Sequence, residues 1–225
     1  SALPAIFNPE DLNALEMALQ VKEEHGGTVT VLSMGPLQAA EVLRQSLYRG
    51  ADRVILLSDR KFAGADTQAT SYTLKHAIDK VGAFDLVFCG RQAIDGDTAQ
   101  VGPQVAEKLG VPQITYAEAI LSLEGAEIVV QRAFEHGTEM VKCSLPCLLT
   151  VVGSANQPRP PSVRRRIASK LAAIPAEYPA RLEQWPEFES QEALAVYLAE
   201  HKLQINQWSA ADLDVNPGLL GLGGS

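Results

Sequence analysis

The sequence predicts an α/β protein with a doubly wound, mostly parallel sheet, an added antiparallel β meander and a C-terminal helical extension. Three observations predict it. Short apolar or β-branched runs alternate with stretches of helical spacing over residues 9–109, the βαβα rhythm of a parallel sheet with crossover helices. The run at 85–89 is continuously apolar after its first residue, as strands covered on both faces are. Past residue 113 the rhythm changes to closely spaced strands separated by Glu124-Gly125 and His136-Gly137, which reads as a meander.

Element by element, apolar residues Leu12, Leu15, Ala18 and Leu19 recur at helical spacing over 9–25, with Asn8 as cap and Pro9 at the first helical position. Gly26-Gly27 ends that helix. A β-branched strand is predicted over 28–33, then a turn at Met34-Gly35-Pro36 and a helix to Tyr48. Residues 53–58 form the next strand, and 66–80 a helix capped by Asp66. Strand 85–89 leads to a helix beginning near Ala99, capped by Asp97 or Thr98, and ending at Leu109. A short stretch at 113–116 precedes the meander, which comprises 120–123, 127–134 and 140–144, and 146–152 returns to a buried apolar strand. Beyond Gly153, prolines at 158, 160 and 161 extend the chain. Pro175, Pro179 and Pro186 interrupt the segment before a helix over 191–201, whose apolar face carries Ala193, Leu194, Tyr197 and Leu198. The chain divides into a nucleotide-binding part, 1–157, and an extension, 158–225.

Composition narrows the function. Hydrophobic residues make up 46% and charged residues 20%, with a net charge of −8, a globular balance that disfavours nonspecific nucleic-acid binding. No apolar run reaches the ~20 residues of a membrane span, and no basic-then-apolar leader opens the chain; a cytoplasmic protein, or the processed form of an imported one, is expected. Cys89, Cys143 and Cys147 show no CxxC spacing and read as buried apolar thiols. His25, His76, His136 and His201 fall on helices or turns and read as surface residues. No catalytic triad, metal-ligand spacing or P-loop is present.

Chemistry concentrates at 89–103, Cys89 to Pro103. Gly90 and Gly96 permit a sharp exit from the strand or close approach to a ligand. Unpaired amide N–H groups at the following helix start, reinforced by the macrodipole, suit a phosphate. An ordinary strand-to-helix connection with an Asx turn explains the same residues. The polar richness of the loop, and its place at a strand's carboxyl end where open α/β sheets bind ligands, favour the site. Asp95 and Asp97 would repel a phosphate and are expected to cap the turn or face ribose, leaving the anion to Thr98, Ala99, Gln100 and Val101.

The stretch GRQAIDGDTAQVGP at 90–103 resembles the signature of the β subunit of electron transfer flavoproteins, heterodimers that carry electrons between dehydrogenases and other redox partners. Asn8-Pro9 with Asp11 to Glu16, Ser33-Met34-Gly35-Pro36, Gly64-Ala65-Asp66-Thr67 and Trp208 to Leu213 follow in that family's order. The resemblance covers 3–157 and 203–225. It implies a Rossmann-like, adenine nucleotide α-hydrolase-like fold and four loops enclosing the adenosine part of a nucleotide. Its positions here are Asn8, Ser33, Met34, Gly35, Asp66, Thr67, Thr70, Cys89, Gly90, Arg91, Gln92, Asp95, Gly96, Asp97, Thr98, Ala99, Gln100 and Val101. Asn8 and Met34 fall near the base, suited as a donor–acceptor pair and an adaptable apolar contact. Each also reads as a plain cap or core residue.

One branch of the family holds AMP in this subunit; the other holds FAD that takes hydride from NADH and splits the two electrons between acceptors. GDTAQVGP preceded by Gly-Arg-Gln resembles the second, with FAD expected and AMP the alternative. Arg91 then lies near the isoalloxazine or a pyrophosphate, or else forms an ordinary salt bridge. The implied partners are an α subunit, NADH and a redox partner such as an acyl-CoA dehydrogenase. Arg164-Arg165-Arg166 is a docking surface or a solvated helix start; the family's leucine anchor for such dehydrogenases is replaced by Pro160 or Pro161. Family members begin further upstream with a first strand, so a missing sheet member is expected, and Gly218 to Ser225 resembles the beginning of the arm that wraps the α subunit. A stand-alone nucleotide-binding protein resembling universal stress proteins is the reading from another class.

Overall fold

The computed structural model describes residues 6–94 and 96–221, which group into two compact units. The expectation for Asp95 and the segments at 1–5 and 222–225 lie outside the described residues. Elements are numbered in chain order.

One unit comprises 27–60 and 160–212. The strands β1 (Thr30–Met34), β2 (Arg53–Leu57) and β8 (Asn206–Trp208) form a parallel sheet in the order β1-β2-β8. Ile55, Leu56 and Leu57 are fully buried, as the apolar run predicts. A turn of 3-10 helix precedes α2 (Ala40–Arg49), so the helix begins later than the Met34-Gly35-Pro36 turn suggested. With α5 (Val163–Ser169), α6 (Tyr178–Gln184) and α7 (Gln191–Glu200), it accounts for the helices of this unit. Leu43, Leu56, Ile174, Leu194, Leu198 and Ile205 share one core, so the apolar face predicted on 191–201 packs within its own unit. Arg44 fastens α2 to the later segment through paired bonds to Glu177 at 2.9 and 3.0 Å and one to the Ala172 carbonyl at 3.1 Å. The Arg165 guanidinium donates to the Arg49 carbonyl at 2.7 Å, while Val163 and Ile167 beside it are exposed.

The other unit comprises 7–26, 61–159 and 213–221 among the described residues. Its sheet runs β3 (Leu86–Gly90), β7 (Cys147–Val151), β4 (Gln113–Glu124), β5 (Glu127–Phe134), β6 (Gly137–Ser144). The first three are parallel and the last three an antiparallel meander. The helices are α1 (Pro9–His25), α3 (Thr67–Val81) and α4 (Val101–Leu109). The mostly parallel α/β architecture with an added meander is as predicted, although the described strands form two sheets.

Two details differ from the sequence reading. Residues 113–116 and 120–123 are one twelve-residue strand. Its register shifts between Ile114 and Ala117, where Tyr116 takes φ 60° and donates its N–H to Thr150 Oγ1 at 3.1 Å instead of the ladder. This bulge turns β4 from its parallel partner β7 to its antiparallel partner β5. The second difference is β8, three residues long and too short to show periodicity. Among the described residues β1 pairs only with β2, and β3 only with β7.

Downstream of β7 the chain is tied to α1. Asn13 Nδ2 donates to the Asn156 carbonyl at 2.7 Å, and Asn156 Nδ2 returns a bond to the Asn13 carbonyl at 3.0 Å. The Arg159 guanidinium donates to Glu16 at 2.8 and 3.0 Å and pairs with Glu23. Burial alone would raise the Glu16 pKa, but the bonds from Arg159 outweigh it and hold it below its ordinary 4.5. A carboxylate lowered in the folded state stabilises above its unfolded value, and that contribution disappears as pH falls through the folded one. E16Q is therefore expected to cost about 1–2 kcal/mol near neutral pH. In urea unfolding across pH, the gap from wild type should close on acidification below the ordinary carboxylate range; a constant gap would contradict the assignment.

Candidate functional site

The site begins where α1 starts beside the end of β3. Gly90 donates its N–H to Asp11 Oδ1 at 2.6 Å. A Cβ on Gly90 would lie 2.7 Å from the Asp11 nitrogen, so the close approach requires glycine. Asp11 Oδ2 accepts from Asn8 Nδ2 at 2.9 Å, and the same amide donates to the Gln92 carbonyl at 3.0 Å. Glu10 accepts from the Gln92 N–H at 3.1 Å and pairs with Arg91 at 3.3 Å. The carboxylates of the first turn of α1 thus gather the backbone and side chains leaving β3, at the positive end of the helix dipole. Burial raises the Asp11 pKa, opposed by the hydrogen bonds from Asn8 and Gly90 and reinforced by Glu10. Burial, helped by Asp11, pushes the Cys89 thiol up to about 12, in keeping with an inert apolar thiol.

Asn8 occupies the N-cap position of α1 but makes no capping bond with its side chain. Its Oδ1 is buried and has no hydrogen-bond partner among the described residues. A buried acceptor in that condition is costly unless a ligand donor or water meets it.

The loop differs from expectation at its far end. The helix α4 starts at Val101 rather than near Ala99, and neither Asp97 nor Thr98 caps it; Gln100 is the N-cap residue and makes no side-chain cap bond. Asp97 instead accepts from Gln92 Nε2 and donates its N–H to the Ala93 carbonyl at 3.0 Å. Asp97 and Ala99 take φ 48° and 53°, a left-handed conformation uncommon outside glycine. Left-handed residues in such a turn direct backbone N–H groups into an anion-binding concavity. At the helix start the N–H groups of Gln100, Val101 and Gly102 have no partner within α4, while Pro103 has none to offer.

Neighbouring elements support this turn. Thr67 Oγ1 donates to Gln100 Oε1 at 2.9 Å, and Gln104 Nε2 donates to Thr67 Oγ1 at 3.3 Å. Asp66 caps α3 as predicted, accepting from the Ala69 N–H at 2.8 Å. Thr70, half-buried in the first turn of α3, donates its N–H to the Asp66 carbonyl at 2.9 Å. A Cβ on Gly102 would meet Thr150 Cγ2 at 2.8 Å and Cys89 Sγ at 2.9 Å, so α4 rides close on β3 and β7. Gly96 and Thr98 are exposed. The Arg91 guanidinium lies 5.7 Å from the Tyr116 ring centroid, within cation–π range.

Within this unit, Asn8 meets Gln92, Gln92 meets Asp97, and Thr67 meets Gln100. Ser33 and Met34 end β1 in the other unit, half-buried, and the Gly35 N–H donates to the Leu57 carbonyl at 3.0 Å. Sequence reading passed over Glu10, Asp11 and Gln104 as site residues. The acidic pair following Pro9 was the available signal, since carboxylates favour a first helical turn.

A family model for the electron transfer flavoprotein domain matches residues 1–187. The chain belongs to the electron transfer flavoprotein family. It is 44% identical over 223 residues to the electron transfer flavoprotein subunit beta of Thermoanaerobacterium thermosaccharolyticum, an alignment covering 99% of this chain and 74% of the relative. It is 55% identical over 162 residues to the caffeyl-CoA reductase-Etf complex subunit CarD of Acetobacterium woodii, covering 72% of the chain and 62% of that protein. Protein FixA of Sinorhizobium fredii is 52% identical over 160 residues, covering 68% and 56% respectively. The chain is thus an electron transfer flavoprotein of the β-subunit kind, and its part in electron transfer follows. No helix among the described residues is long and apolar enough to cross a membrane.

G90A puts a methyl group against the α1 backbone. Steric overlap of this kind costs about 1–3 kcal/mol, so the variant should show a lower urea midpoint than wild type. An unchanged midpoint would mean that α1 and β3 are not held this closely.

Proposed function

We propose that this chain is the β subunit of a heterodimeric electron transfer flavoprotein and binds FAD. In this reading the adenosine and phosphate portion lies against Asn8, Thr67, Gln92 and the 96–102 turn. The observation that carries the site is the uncapped start of α4 behind two left-handed residues. It offers backbone donors for a phosphate, while the nearby carboxylates are engaged: Glu10 by Arg91 and Gln92, Asp11 by Gly90 and Asn8, Asp97 by Gln92. The unpartnered Asn8 Oδ1 supplies an acceptor for an exocyclic amine such as that of adenine. Asp66, Thr70, Cys89, Arg91, Ala99, Gln100 and Val101 complete the proposed set, Asp66, Cys89 and Thr70 acting through the elements they hold.

When bound, the flavin supplies the redox chemistry; this chain binds and orients it. The proposed activity is NADH-dependent electron bifurcation in complex with an α subunit, passing electrons to an acyl-CoA dehydrogenase or quinone-linked partner. Identity above one half to the CarD and FixA proteins supports that branch. The exposed α5 segment, with Val163, Ile167 and Arg164 to Arg166, is the proposed docking surface for such a partner. An AMP-binding, non-bifurcating β subunit is the second reading, favoured by one observation: the Arg91 charge is met by Glu10 rather than held free for a flavin.

Nucleotide extraction and a visible spectrum of the αβ complex test the proposal. Two FAD and no AMP per heterodimer are expected; one FAD plus AMP would overturn the FAD assignment and leave the scaffold reading. Replacing Thr98 with a bulky residue such as Trp should lower nucleotide occupancy several-fold, and unchanged occupancy would show that the phosphate sits elsewhere.

A further inference from the structure

The meander side of the sheet carries a pair of thiols that the nucleotide site does not use. Cys143 lies near the end of β6, in register with Ile128 of β5. Cys147 opens β7 after the three-residue link Ser144-Leu145-Pro146. Both belong to the same apolar cluster, with Cys147 fully buried and Cys143 packed on it from the outside. The Cys143 side chain is a near neighbour that helps raise the Cys147 pKa, and its half-buried Sγ reaches the Ser144 carbonyl at 3.4 Å. The backbone is held on both sides of the link: the Leu145 N–H donates to the Ala126 carbonyl at 2.9 Å and the Cys147 N–H to the Asp85 carbonyl at 3.2 Å.

We propose that Cys143 and Cys147 are a redox-active dithiol in which Cys143 is the oxidant-accessible thiol and Cys147 the resolving one. The division follows from the surroundings. Cys143 is half-buried and the more accessible of the two, whereas Cys147 is closed off from solvent. Reaction of the Cys143 thiol with hydrogen peroxide gives a sulfenic acid and one water. The Cys147 sulfur then attacks the Cys143 sulfur, the S–O bond breaks, and a second water leaves with the Cys147 proton as the disulfide forms. Two thiols are oxidised and one peroxide is reduced. A neighbouring thiol diverts the sulfenic acid from irreversible overoxidation, and a dithiol reductant restores the pair by exchange. Burial, with the Cys143 contact, pushes the Cys147 thiol up to about 12, which suits it to the second step rather than the first. Cys89 lies behind the site loop and takes no part.

The test is peroxide treatment of the purified full chain, alone and in its complex, followed by non-reducing peptide mapping and thiol titration. The expected result is a Cys143–Cys147 cross-linked peptide that has lost two hydrogen atoms. Titratable thiols in the denatured protein should fall from three to one, with Cys89 left reduced and all three recovered after dithiothreitol. C143S, a near-isosteric change at a half-buried position, should abolish the cross-link and leave Cys147 reduced. Overoxidation of Cys143 to the sulfinic acid, an intermolecular disulfide, or three unreacted thiols would each overturn the proposal.

Discussion

The contact between the Gly90 amide and the Asp11 carboxylate organises the site. It joins the start of α1 to the end of β3, elements far apart in sequence, over a gap that admits no Cβ. Asp11 accepts from both Gly90 and Asn8, and hydrogen bonds to an ionised carboxylate are stronger than neutral ones. They fix where the chain leaves the strand. Asn8, Gln92 and Asp97 are placed from that point by successive hydrogen bonds, and the turn before α4 inherits their position.

Packing beneath the turn completes the constraint. Gly102 lets α4 approach Thr150 and Cys89 closely, and Gln104 and Thr67 bridge α4 to α3. The left-handed conformations of Asp97 and Ala99 are sustained by this frame rather than by their own preference. The result is a rigid cradle of backbone donors with its acidic side chains turned to internal partners. The Tyr116 bulge serves the sheet in a similar way, letting one strand belong to both the parallel and the antiparallel half.

Much of this was legible in the sequence because the strong signals are local. The apolar run at β2, the Asp66 cap and the Gly26 stop each act within a few residues. The polar loop after a buried strand, where the proposed site falls, is likewise a local signal. The rest depends on distant partners. The start of α4 was misread because Asp97 looks like a cap, yet its carboxylate is taken by Gln92 and its backbone is left-handed. Asp11 shows in the sequence only as one of an acidic pair in a first helical turn, because its partner Gly90 lies 79 residues away. The join within β4 was hidden because Tyr116, which sits at the bulge, is a good strand residue by propensity. Arg91, open in the sequence between a ligand contact and a salt bridge, pairs with Glu10, 81 residues away.

Under the proposed function a nucleotide phosphate meets the amides of Gln100, Val101 and Gly102. Amide hydrogen exchange on the complex, with its nucleotides retained and then stripped, tests this directly. The account predicts that these amides exchange markedly more slowly in the loaded protein, while the core amides of β7 exchange alike in both. Equal exchange at Gln100 to Gly102 in the two states, with new protection elsewhere, would contradict it.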